Sequence, residues 1–144
     1  MKNILLTLIS IFLLSGITYA QVAPSTSEED TIIDTYYYEN STIEFAEGVD
    51  MEKFEPINSN TEFTLNGKVD VTTILRLDKP FKTKGIIVDI YDNNDDLYDS
   101  FEIEIDENWD FISFKIDFDL IGHYFIDLYT SDDIFINSAE LEIK

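Results

Sequence analysis

The chain has no cysteine, one histidine and one tryptophan. The first absence excludes disulfides, thiolate metal sites and cysteine nucleophiles. A lone histidine, His123, leaves zinc or copper without the cluster of nitrogen and sulfur donors those metals need. It also leaves a Ser-His-Asp triad a single base to build on, and nothing local positions a serine beside it. Positive charge is scarce too: 9 Lys and Arg stand against 30 Asp and Glu, a formal net charge of -21. A surface that negative repels phosphate, which argues against nucleic acid and against anionic lipid. After residue 20 no window sustains apolar residues at helical spacing, and no stretch is apolar enough to span a bilayer.

What is present is a core. The 144 residues suit one domain, and 44% hydrophobic with 14% aromatic content is too much for a disordered acidic chain. Lys2 followed by the eleven apolar residues Ile4 to Leu14, then Gly16 and the small-residue site Thr18-Tyr19-Ala20, has the layout of a secretory signal peptide over 1–20. Eleven residues is about half of the ~20 a transmembrane helix requires. Cleavage after Ala20 would leave 8 basic against 30 acidic residues, or -22, in a secreted or periplasmic chain. Residues 21–40 read as a flexible tether that ends in an aromatic edge or covering segment, Tyr36-Tyr37-Tyr38. Ile43-Glu44-Phe45 suggests a short strand, and Pro56 with Asn58-Ser59-Asn60 suggests a turn.

From Phe63 the period is two. Val69, Val71, Thr73, Leu75 and Leu77 share one face, with Ile74 out of phase. The alternation recurs at 86–91, 101–105, 112–118, 124–129 and 139–143. Six or seven such strands separated by polar turns predict an all-β, single antiparallel sandwich over 41–144. One register can be fixed. If 86–91 and 98–103 form a hairpin, Ile86, Val88 and Ile90 must oppose Ile103, Phe101 and Asp99, because a one-residue slip would bury Glu102. That register leaves a loop from Asp92 to Leu97 and sets Tyr91 beside Tyr98 on the outer face.

The segment from Phe114 to Lys144 carries Gly122-x-Tyr124-x-Ile126-x-Leu128, the turn Ser131-Asp132-Asp133, and a last strand ending Leu141-x-Ile143. It resembles the closing strands of immunoglobulin-like and fibronectin type III-like domains of bacterial secreted proteins. The resemblance implies an immunoglobulin-like sandwich of about seven strands, and a Tyr124 hydroxyl that ties down the preceding corner. It implies no ligand, since such folds host adhesins, spacers, carbohydrate-binding modules and chaperones alike.

Two groups of residues invite a functional reading. Asp92, Asn94 and Asp96, with Asp99, have the alternate spacing of oxygen ligands for calcium, or the composition of a solvated turn. Tyr91, Tyr98, Phe125 and Tyr129 fall on the non-core parity, and Trp109 sits in a polar loop. Together they would form an aromatic face for a protein or glycan partner, unless a second layer such as Tyr36 to Tyr38 covers it. The expected function is a non-catalytic interaction module at the cell surface or in the periplasm, with no cofactor beyond that calcium. The alternatives are a small carboxylate-dependent hydrolase and a calcium-dependent structural spacer.

Overall fold

The computed structural model describes residues 35–144. The signal segment expected over 1–20 and most of the expected tether lie outside the described residues. Among the described residues nine strands follow a 3-10 turn at Thr35–Tyr38. They are β1 (Thr42–Asp50), β2 (Glu55–Ser59), β3 (Glu62–Phe63), β4 (Val69–Arg76), β5 (Gly85–Tyr91), β6 (Leu97–Glu104), β7 (Phe111–Phe118), β8 (Gly122–Thr130) and β9 (Phe135–Ile143). One sheet has the order β2-β1-β4-β7 and the other β3-β9-β8-β5-β6. Every pairing is antiparallel except β3 with β9.

The alternation places the core as expected. Val71 and Leu75 of β4 and Ile112 and Ile116 of β7 meet Ile86, Val88 and Ile90 of β5 and Ile126 and Leu128 of β8. All are buried. The Ile86–Ile103, Val88–Phe101 and Ile90–Asp99 pairs form as the buried-charge argument requires.

Three local differences have physical causes. The strand count rises to nine because β2 and β3, of five and two residues, are too short to show a period. Pro56, expected in a turn, pairs with Val49 inside β2. An edge strand tolerates the missing N–H, and β2 is an edge. Tyr36 to Tyr38 form the 3-10 turn rather than a strand or a cover for a sheet face. Tyr38 is fully buried, and its hydroxyl donates to the carbonyl of Phe81 at 2.6 Å. Tyr37 does the same to Pro80 at 2.6 Å. The turn is thereby fastened to the β4–β5 loop.

Ile74, the phase exception, is completely buried although it lies outside the inner core cluster. It opposes Glu44 on one side and Ser113 on the other, on the outer face of the four-stranded sheet. The tip of the β1–β2 hairpin reaches that face. Arg76 donates to the carbonyl of Phe54 and sits 4.7 Å over the ring of Phe111. Phe54 packs edge-on to Phe111 at 5.1 Å, and Ser113 lies 4.0 Å from the sulfur of Met51. The hairpin is therefore laid back across its own sheet, on the face that carries Ile74.

Candidate functional site

The outer face of the five-stranded sheet collects most of the expected aromatic residues. Tyr91 of β5 stands directly opposite Phe125 of β8. Two rows along, Tyr129 opposes Ile87 and also pairs with Phe135 of β9, their rings 5.6 Å apart. Between these rows lies a polar one. Asp89 opposes Asp127 across β5 and β8. Ser100 of β6 donates to Asp89 at 2.6 Å, and Ser138 of β9 donates to Asp127 at 2.6 Å. The order across four strands is thus Ser100, Asp89, Asp127, Ser138.

Electrostatics tie the rows together. Burial first, then the Asp89 and Asp127 charges, raise the phenol of Tyr91 above its usual value. Tyr129 is raised in the same way, by burial, then by Asp127, with Tyr91 and Asp89 contributing. At one end His123 packs edge-on to Phe125 at 5.1 Å, with Nε2 3.7 Å from Glu140.

Tyr98 does not belong to this face. A bulge between Ile90 and Tyr91 pairs Tyr91 with Leu97, so Tyr98 becomes the extra residue of β6 and turns inward. Its ring stacks on Phe118 at 6.0 Å and meets Tyr124 edge-on at 4.9 Å. Its hydroxyl donates to Asp119 at 2.7 Å. The bulge also shortens the hairpin loop to Asp92 through Asp96.

Trp109 is elsewhere again, 53% exposed in the β6–β7 loop. It lines a groove of about 790 Å³ with Phe54, Met51, Arg76 and Phe111. No period in the sequence marks this groove, because its walls come from loops and the hairpin tip.

The Asp92 loop is closed on itself. Asp92 Oδ1 accepts the backbone N–H groups of Asn94 at 2.8 Å and Asp96 at 3.1 Å. Its other oxygen accepts from the Asn94 amide at 3.3 Å. These bonds, led by the Asn94 backbone, hold the Asp92 carboxyl below the usual carboxylate range. Asp99 lies outside the loop, its Oδ1 accepting from the Ser100 backbone at 2.9 Å. Among the described residues no group of three or more His, Asp or Glu side chains is placed to hold a metal ion.

Asp89, Asp127, Ile87 and Phe135 were missed as members of a face. Acids at alternate strand positions read as an ordinary wet surface. The available signal was their phase: Asp89-x-Tyr91 and Phe125-x-Asp127-x-Tyr129 alternate on one side.

No protein-family model and no curated protein matches the sequence. Among solved structures the chain is similar to an immunoglobulin-like protein from Pseudomonas aeruginosa, at 12% identity and a TM-score of 0.49, covering 72% of this chain and 92% of that one. It is also similar to a superoxide reductase (neelaredoxin) from Ignicoccus hospitalis, at 15% identity and a TM-score of 0.39, covering 69% of this chain and 88% of that one. The strand order and the bond from the Tyr124 hydroxyl to the Leu120 carbonyl, 3.0 Å long, make the fold an immunoglobulin-like β-sandwich.

Proposed function

We propose that this domain is a non-catalytic binding module, exported by its N-terminal signal segment. It engages a protein or glycan at the cell surface or in the periplasm through the outer face of the five-stranded sheet. One observation carries the reading. Tyr91, Phe125, Tyr129 and Phe135 lie together on that face, and the turn named as its alternative cover, Tyr36 to Tyr38, is fastened at Pro80 and Phe81 instead. Grouped aromatic side chains on a sheet surface are the usual anchors of protein and sugar contacts. The paired acids Asp89 and Asp127 lie on the open sheet rather than in a cleft that would exclude water, so the face suits contact better than hydrolysis.

The test is an array of purified surface proteins and glycans probed with the mature chain and with a Tyr91→Ser/Phe125→Ser variant. The variant keeps its circular dichroism and melts within about 5 °C of the parent. It loses the contacts that the parent makes. Retention of every contact, or no contact by the parent, overturns the reading.

A further inference from the structure

The charge on this face selects among partners. Strands β5, β6, β8 and β9 carry seven acids, namely Asp89, Asp99, Glu102, Glu104, Asp127, Glu140 and Glu142, and not one Lys or Arg. All but Asp99 fall on the outer parity. The cross-strand position opposite an acid is where a sheet ordinarily gains from a base, and like charges there are unfavourable. Asp89 and Asp127 nonetheless face each other, steadied by serine hydroxyls in place of cations. Above them are the rings of Tyr91 and Phe125, and below them Tyr129 and Phe135. Carboxylates flanked by aromatic faces suit a guanidinium or ammonium group, which gains from the charge and from the rings together.

We propose that this face takes a lysine- or arginine-rich segment of another protein, with its cationic side chains seated over the Asp89–Asp127 row between the two rows of rings. The proposal rests on the binding-module reading and names its partner. A neutral glycan would leave the carboxylates uncompensated. A second copy of the chain would bring another net charge of -21 against the first.

The experiment measures fluorescence anisotropy of a labelled short peptide that alternates arginine with serine, at near-physiological salt. A second peptide carries neutral citrulline at every arginine. The parent binds the first and not the second. Asp89→Asn/Asp127→Asn weakens binding about tenfold or more. Glu52→Gln/Glu55→Gln removes the same charge from the exposed hairpin tip, and changes binding less than about threefold because those acids act only through the screened field. Because the Asp89 and Asp127 changes relieve a like-charge pair, that variant stays folded, as its circular dichroism will show. Equal loss in both variants, binding of the citrulline peptide, or no binding of the arginine peptide overturns the cationic partner. If a neutral oligosaccharide instead binds to the parent and to the Asn variant alike, but not to Tyr91→Ser/Phe125→Ser, the cationic partner falls and the binding module stands.

Discussion

The hydroxyl of Tyr124 donates to the carbonyl of Leu120, four residues earlier, and so closes the corner between β7 and β8. Gly122 lies beneath the same ring, where an added Cβ would come within 3.4 Å of Tyr124 Cε2. Tyr124→Phe keeps the ring and removes the bond. It should cost about 1 kcal/mol and lower the melting temperature by roughly 3–6 °C in a calorimetric scan. A variant that melts with the parent would deny the corner any energetic role.

Tyr91 and Tyr98 share an alternation but not a face, and their truncation should separate them. Tyr98→Ala vacates a site among Phe118 and Tyr124, at about 2–4 kcal/mol in denaturant unfolding. Tyr91→Ala on the outer face should cost about 1 kcal/mol or less. Equal costs would mean that the bulge does not hold Tyr98 inward.

The fold should weaken in base. Burial, then the charges of Tyr37 and Asp132, push the Tyr38 phenol up to about 12. Burial, then the bond to Asp119, pushes Tyr98 up to about 12. An unfolded tyrosine titrates near 10. Between those values the folded state holds protons that the unfolded state has released. The stability these groups supply is complete below pH ~10 and is lost as pH rises toward ~12. Ultraviolet titration should show part of the tyrosine phenolate signal appearing only with unfolding. Every tyrosine titrating near pH 10 with native circular dichroism retained would contradict this.

The Asp92 loop should answer to hydrogen bonding rather than to calcium. Asp92→Ala removes the acceptor for two backbone N–H groups and should lower the melting temperature by a few degrees, roughly 2–5 °C. Asp92→Asn keeps an acceptor oxygen and should stay close to the parent. Millimolar calcium should move neither, since both Asp92 oxygens already accept from the loop itself. A calcium-dependent rise in the parent, lost in Asp92→Asn, would favour the metal reading.

Much of this architecture was legible where a buried charge or a period constrains it. Glu102 alone sets the β5–β6 register, because a slip would send it into the core. What stayed hidden depends on partners that alternation does not name. Tyr98 changes sides because Leu97 pairs with Tyr91, and a bulge leaves no trace in a pattern of apolar and polar residues. Ile74 was visible as an anomaly, but the hairpin above it was not, since residues 51–54 make their contacts through a folded-back tip. The aromatic face was half visible. Tyr91, Phe125 and Tyr129 could be read from phase, whereas Phe135 and the Asp89–Asp127 pairing required knowing that β5, β8 and β9 are neighbours.

The parallel pairing of β3 with β9 joins Glu62 to Glu142 across most of the domain's sequence. Ser41 bonds to the carbonyl of Ile136 at 3.2 Å, and the Asn137 amide bonds back to the Ser41 carbonyl at 2.8 Å. The ninth strand is therefore the seam on which early segments depend, and the loops that must close before it seats are long. Such a topology pays its entropy before its contacts reward it. Refolding should run in milliseconds to seconds rather than microseconds, with partly assembled sheets exposing bare strand edges meanwhile. The heavy excess of acid would then have a kinetic use, keeping half-formed molecules apart until the seam is sewn.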